Sequence, residues 1–342
     1  MFTSAEDLST DVITPDERAA TRPPILMLDD FEYPGSGGLQ YPTCTLSQPG
    51  FTFPTSGETE SRGTYFLDYA FLSAMAYESS AITNYTLDTW FGPNVMKDEV
   101  DFVGKWREDS GTFLSPVQFK LFSLTNHPGF AVVSIRGSET MWDWIQNLQL
   151  WSAAGLSQMV KWIIPYGWIF NPILPDFIQA VNLIESKKIS EVSYYKVTTR
   201  FVNEVTAGYS NEYGGGNFEN LKVTGASLGG GLAIITGAQT SAYTVAISGP
   251  GATLSRRVYD PPITTDALNT QCLAPKNDLF GCHSMWRSVC ELNYKCGSNG
   301  RPVFCRCVES FGYPEPTALG NRTFAQACQD ASTAWFEMFP QK

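Results

Sequence analysis

The chain has 342 residues, which is long enough to bury a substantial core in one decorated domain or in two. Its formal net charge of −11 at pH 7 argues against a nucleic-acid partner, because no basic surface is expected that could neutralise phosphates. The same charge argues against electrostatic docking on an anionic membrane, so any contact with lipid would have to be apolar.

Residues 1–62 are rich in proline, glycine, serine, threonine and acidic side chains and show little hydrophobic periodicity. We interpret most of this segment as a flexible N-terminal arm. After it, helices and strands alternate along the chain, which predicts an α/β fold with a mostly parallel sheet and helices on both faces. The predicted elements are an amphipathic helix at 65–78, strands at 117–124 and 130–136, a helix at 193–209 and a strand at 242–248.

Ser227 stands at the centre of a G-x-S-x-G sequence, Gly225-Ala226-Ser227-Leu228-Gly229. The residues before it, 220–223, predict a short strand, and residues 232–236 predict a helix. A strand–turn–helix with serine at its apex holds the hydroxyl in a strained, exposed position near a helix N-terminus, as in a nucleophile elbow. A glycine-rich turn that serves only packing is the alternative.

An ester hydrolase also needs hydrogen-bond donors aimed at the oxyanion that develops during the reaction. The N–H of Leu228, directly after the serine, is the first candidate donor. Ser138, in Arg136-Gly137-Ser138 at the end of the predicted strand 130–136, is the second candidate, through its N–H or its hydroxyl. An ordinary turn is the alternative interpretation of this second motif.

Taken together, these motifs resemble the class 3 lipases, also called the fungal lipase-like family, over about residues 64–255. The matching residues are Arg136-Gly137-Ser138, then Trp142-Asp143-Trp144 with Asn147-Leu148, and the run from Gly225 to Ala233. The resemblance implies an α/β-hydrolase fold, Ser227 as nucleophile, Ser138 as oxyanion residue and a helical lid after it. Residues 273–316 are similar to a Cys-rich C-terminal region of protist members.

Residues 139–184 would contain that lid, and they hold Trp142, Trp144, Trp151, Trp162 and Trp168. A transmembrane span is not expected here, because prolines interrupt a stretch already shorter than the roughly 20 residues that a span needs. We expect a lid and acyl-chain wall whose movement would expose an apolar groove to lipid. Ordinary core helices are the alternative.

Seven of the eight cysteines lie between residues 272 and 328. Their clustering favours disulfides and therefore a secreted or lumenal location, and the two glycosylation sequons beginning at Asn84 and Asn321 agree. A metal site is the less favoured alternative, because paired C-x-x-C ligands are missing from the sequence. Residues 1–18 do not show the basic and apolar segments of a signal peptide, which disagrees with export.

The order of residues in the family, serine, then aspartate, then histidine, makes His283 the candidate general base; the other histidine, His127, precedes the motifs. The family has a further apolar strand that ends in the triad aspartate, and residues 261–270 show no β-branched run that would predict it. We therefore expect that strand to be missing. The candidate acids are Asp260, Asp266 and Asp278, all between Ser227 and His283, and Asp278, five residues before His283, is the nominal choice.

These observations predict three regions: an arm over 1–62, a class 3 lipase-like core over 63–270 and a Cys-rich C-terminal region over 271–342 that carries His283. The expected function is a serine hydrolase that cleaves lipid acyl esters through an acyl-enzyme, without a metal or organic cofactor. Two alternatives stay open. One is a catalytically impaired lipid-binding or interaction protein that lacks the triad aspartate, and the other is an acyltransferase.

Overall fold

A computed structural model describes residues 24–35, 53–55, 58–62, 64–112, 115, 117–137, 194–213, 217–249, 268–270 and 285–340. The helices in these ranges are α1 (Phe66–Met75), α2 (Ser80–Phe91), α3 (Val100–Asp109), α4 (Tyr194–Thr206), α5 (Leu228–Thr240), α6 (Met285–Cys296), α7 (Cys305–Glu309) and α8 (Phe324–Met338). The strands are β1 (Met27–Leu28), β2 (Phe31–Glu32), β3 (Phe53–Thr55), β4 (Glu58–Arg62), β5 (Met96–Asp98), β6 (Phe119–Leu124), β7 (His127–Ile135), β8 (Asn220–Ala226), β9 (Tyr243–Ile247), β10 (Leu268–Thr270), β11 (Val303–Phe304) and β12 (Thr317–Ala318).

The central sheet has the strand order β10-β9-β8-β7-β6-β5. Strands β7, β8, β9 and β10 run parallel to one another, while β6 is antiparallel to both β5 and β7. The carboxyl ends of the four parallel strands therefore meet at one edge of the sheet. Helices cover both faces, so the predicted α/β fold is confirmed, and three of the five strand pairings described in this mixed sheet are parallel.

Alternate residues of the strands enter two separate hydrophobic cores. In β7, Phe130 and Val132 belong to the core beneath α1, whereas Ala131, Val133 and Ile135 belong to the core beneath α3, α4 and α5. This two-residue period follows from the pleat of a strand, and burial on both sides explains the run of apolar, β-branched residues.

Helix α1 is buried at every position, which differs from the predicted amphipathic helix. It packs between the sheet and α6, so it has no face in water. Two hydroxyl groups bond across this interface: Ser73 Oγ lies 2.8 Å from Thr224 Oγ1, and Ser134 Oγ donates to the Leu72 carbonyl at 2.9 Å. These hydroxyl groups hold α1 against the two strands that lead to Ser227 and Ser138.

Strand β10 corrects the expectation that a further strand after β9 is missing. Leu268, Asn269 and Thr270 pair in parallel with Val245, Ala246 and Ile247 of β9. A three-residue strand on the outside of a sheet is held mainly by backbone pairing with its neighbour and needs no β-branched run. Its sequence therefore does not reveal the strand.

Residues 24–35 correct the predicted flexible arm over that part of 1–62. Strand β1 pairs with β11 and β2 pairs with β12, both antiparallel. Ile25, Leu28 and Phe31 are buried with the C-terminal elements. The pairing partners lie more than 250 residues away along the chain, as the register Leu28 with Val303 shows, and such long-range pairing leaves no local signal.

Two disulfides in the C-terminal region, Cys290–Cys307 and Cys305–Cys328, confirm the prediction that these cysteines are oxidised, and Cys296 is disulfide-bonded as well. Closing loops with sequence separations of 17 and 23 residues stabilises the fold by about 3 kcal/mol each in the chain-entropy model. Within the described ranges, no helix combines the length and apolar character needed to cross a membrane.

A buried ion pair joins the C-terminal region to the main core. Arg301 Nε donates to Asp68 Oδ1 of α1 at 2.8 Å, with the two side chains 3% and 1% exposed. Asp68 also accepts from Trp90 Nε1 and from the Tyr65 N–H, both at 2.9 Å. The Trp90 ring in turn contacts the rings of Phe71 and Phe304, at distances between ring centres of 4.3 and 5.3 Å, so the C-terminal region shares one core with α1 and α2.

We expect Asp68→Asn to lower the free energy of unfolding by about 3–5 kcal/mol, because the Arg301 cation would stay buried without a carboxylate. Lys97→Met is the matched control, since Lys97 pairs with Glu99 while 64% exposed, and the expected change is less than about 1 kcal/mol. Chemical denaturation measures both. Equal stability of Asp68→Asn and the wild type would contradict a structural role for the pair.

Candidate active site around Ser227

Ser227 forms the turn between β8 and α5, as the strand–turn–helix prediction required. Its backbone has φ 53° and ψ −126°, a conformation that residues with a side chain rarely adopt. Such a conformation costs on the order of 1–3 kcal/mol and persists only where the surroundings impose it. The residue is half-buried.

Hydrogen bonds hold the backbone on both sides of this strained residue. The Ser227 N–H donates to the Ile247 carbonyl at the end of β9, at 3.0 Å. The Ser227 carbonyl accepts from the Gly231 N–H at 3.1 Å, which closes the first turn of α5. Leu228 is the first residue of that helix, and N–H groups in a first turn have no acceptor within the helix. A Leu228 N–H in this position can donate to a bound anion.

Glycines let the elbow lie directly against the end of β7. A Cβ on Gly225 would come 2.8 Å from the Ile135 carbonyl oxygen, and a Cβ on Gly229 would overlap the same oxygen. On the other side of the contact, a Cβ on Gly137 would lie 2.5 Å from the Ala226 carbonyl oxygen. The backbone that precedes Ser138 therefore contacts the backbone that carries Ser227, which is the proximity that an oxyanion site needs.

The first turn of α6 lies at the same edge of the sheet. Ser288 Oγ in this helix is 3.5 Å from Ser248 Oγ, and Ser248 directly follows β9. Met285, the first residue of α6, packs against the core that contains Ala226 and Ile247. His283 is two positions before Met285 in the sequence.

A cation lies beside this turn of α6, because the Arg306 guanidinium carbon is 5.9 Å from the centre of the Trp286 ring. Burial lowers the pKa of Arg306, and the nearby Glu78 carboxylate acts in the opposite direction. Even a lowered arginine pKa leaves the group charged near neutral pH.

The structure thus describes two of the five predicted site residues, Ser227 and Leu228, as neighbours at one turn. Ser138, Asp278 and His283 lie outside the described residues, as does the predicted lid over 139–184. Their roles stay predictions. The sequence did not point to Tyr77, whose hydroxyl lies between the elbow and β7, because only its place on a helical face was visible in the pattern.

Comparison of the chain with models of protein families, with curated proteins and with solved structures found no match.

We expect Gly229→Ala to lower the free energy of unfolding by about 1–3 kcal/mol, because the added methyl group would collide with the Ile135 carbonyl. Gly104→Ala is the matched control: Gly104 is also a helical glycine, in α3, and nothing lies within 4 Å of the position that its methyl group would take. There the substitution should raise stability by about 0.5–1 kcal/mol through helix propensity. Thermal and chemical denaturation measure both, and a Gly229→Ala protein as stable as the control would contradict the close contact.

Proposed function

We propose that this protein is a serine hydrolase that cleaves lipid acyl esters through a covalent acyl intermediate on Ser227. The observation that carries the proposal is the positive φ of Ser227 at the apex of a strand–turn–helix, held by bonds to Ile247 and Gly231. Strain of this kind is concentrated at functional sites, where it presents a side chain that relaxed backbone would turn inward.

In the proposed reaction, Ser227 Oγ attacks the ester carbonyl while His283 accepts the hydroxyl proton. The carbonyl oxygen becomes an oxyanion and accepts hydrogen bonds from the Leu228 N–H and from Ser138. Collapse of this intermediate breaks the bond to the alcohol, which takes the proton from His283 and leaves. Water then attacks the acyl-serine by the same route, releasing the fatty acid and restoring Ser227. Asp278 would orient the imidazole.

The order of elements along the sheet supports this assignment. Ser138 follows β7, Ser227 follows β8 and Asp278 follows β10, all of them parallel strands whose carboxyl ends share one edge. The chain that carries His283 enters α6, whose Ser288 contacts Ser248 at that same edge. Ligand and catalytic sites of open α/β sheets are formed at this edge.

The choice of a lipid ester rests on the tryptophan-rich segment 139–184, which directly follows Ser138. The resemblance of the motifs to class 3 lipases supports the same substrate class. The disulfides are typical of an oxidising compartment, and we propose that the protein is secreted or lumenal.

The alternative of a catalytically impaired lipid-binding protein loses one of its reasons, because it depended on a missing strand after β9 and β10 is present. An acyltransferase would use the same serine and histidine. Hydrolysis and acyl transfer differ in product, since only a transferase forms a new ester when an alcohol is added.

We expect wild-type protein to react rapidly with a fluorophosphonate probe and Ser227→Ala not to react, because the probe phosphonylates an activated serine oxygen. His283→Ala should lower ester turnover on the order of 10⁶-fold, because nothing would accept the serine proton. Ser310→Ala, at an exposed serine after α7, is the control and should react with the probe as wild type does.

The wild-type protein should hydrolyse p-nitrophenyl octanoate faster than p-nitrophenyl acetate.

Two results would contradict the proposal. One is a folded wild type that neither reacts with the probe nor hydrolyses either ester, which would favour the lipid-binding alternative. The other is probe labelling that persists in Ser227→Ala, which would place the reactive serine elsewhere.

A further inference from the structure

Tyr77 lies at the point where the elbow and the end of β7 approach each other. It follows α1, and its own N–H donates to the Ala74 carbonyl at 3.1 Å, so the end of the helix fixes its backbone. Its side chain is half-buried, and the Arg136 guanidinium carbon lies 5.7 Å from the centre of its ring. The ring is therefore held by contacts that do not involve the hydroxyl group.

The Tyr77 hydroxyl bonds to both backbone segments at once. It accepts a hydrogen bond from the Gly137 N–H at 2.7 Å and donates one to the Ala226 carbonyl at 3.4 Å. A phenol has one proton and two lone pairs, so both bonds can form at the same time. Gly137 precedes the candidate oxyanion residue Ser138, and Ala226 precedes the candidate nucleophile Ser227.

The bond to Ala226 acts on the peptide group next to the strained serine. The carbonyl of this Ala226–Ser227 peptide accepts from Tyr77, while its N–H donates to the Ile247 carbonyl at 3.0 Å. With both polar groups bonded, the peptide plane cannot rotate to relieve the positive φ of Ser227. On the β7 side, the bond from Gly137 fixes the peptide that immediately precedes the one carrying the Ser138 N–H.

We propose that Tyr77 is a positioning residue for the hydrolase reaction: its hydroxyl sets the spacing between Gly137, which precedes the candidate donor Ser138, and the turn that carries Ser227. The inference rests on the proposed function and adds a residue to it. Tyr77 touches no reacting atom. It acts through Gly137 and Ala226, and preorganised donors are effective only where the oxyanion forms.

Tyr77→Phe removes the hydroxyl and keeps the ring, and Tyr33→Phe is the matched control. The Tyr33 hydroxyl donates to the Pro314 carbonyl at 2.7 Å, so the control also loses one bond to a backbone carbonyl, in the C-terminal cluster and not at the elbow. A merely structural role would make the two variants lose stability alike and leave kcat unchanged in both.

For Tyr77→Phe we expect kcat for p-nitrophenyl octanoate to fall about 10- to 100-fold with KM changed less than about 3-fold, since a displacement of about 1 Å can cost that much. The rate of fluorophosphonate labelling should fall in parallel. Tyr33→Phe should keep the wild-type kcat, and both variants should unfold at similar denaturant concentrations.

Amide hydrogen exchange gives a readout that does not depend on activity. The Gly137 amide should exchange faster in Tyr77→Phe, because its acceptor is gone, and at the wild-type rate in Tyr33→Phe. Unchanged exchange at Gly137 would contradict the hydrogen bond from the Gly137 N–H to the Tyr77 hydroxyl.

A wild-type kcat in Tyr77→Phe would overturn the positioning role while leaving the proposed function intact, and so would an equal loss of kcat in Tyr33→Phe. A wild type without labelling or turnover would overturn the proposed function, and the role of Tyr77 in it falls with it. Activity of the wild-type protein therefore distinguishes failure of the Tyr77 positioning role from failure of the proposed function.

Discussion

The position of Ser227 depends on a contact between backbones that leaves no space for side chains. Gly225 and Gly229 on the elbow face the Ile135 carbonyl, and Gly137 at the end of β7 faces the Ala226 carbonyl. Any Cβ at these positions would separate the strand from the turn. The glycines thus set the spacing between the serine and the chain that leads to Ser138, and they allow α5 to begin at Leu228 directly beside β7. Hydrogen bonds to the surrounding elements then hold the strained serine in place.

The C-terminal region contributes to the same edge of the sheet because it is built into the main core. The Asp68–Arg301 ion pair and the stack of Phe71, Trp90 and Phe304 join it to α1 and α2, and the disulfides close its loops. Helix α6 is consequently held against α1, with its first turn near the carboxyl end of β9. Residues 24–35 extend the same unit, because β1 and β2 pair with β11 and β12.

Short sequence patterns predicted the helices and strands that depend on residues close together in the chain. The glycine spacing and the apolar runs around Ser227 predicted β8, the turn and α5, and the β-branched run predicted β7. Strand β10 was missed because its three residues carry no β-branched run, and the pairing of residues 24–35 was missed because the partner strands are distant in sequence. Helix α1 was predicted with one apolar face, but packing on both sides buries all of it. The role of Tyr77 arises from a meeting of three segments, which no single stretch of sequence reveals.

The central claim is that Ser227 carries the acyl group during turnover, and trapping that intermediate tests it most directly. Protein quenched with acid during hydrolysis of a slowly deacylating ester would be digested and mapped by mass spectrometry. We expect the mass of one acyl group on the peptide that contains Ser227 and on no other. Consumption of the ester with the acyl group on a different residue, or with none on the protein, would contradict a Ser227 acyl-enzyme.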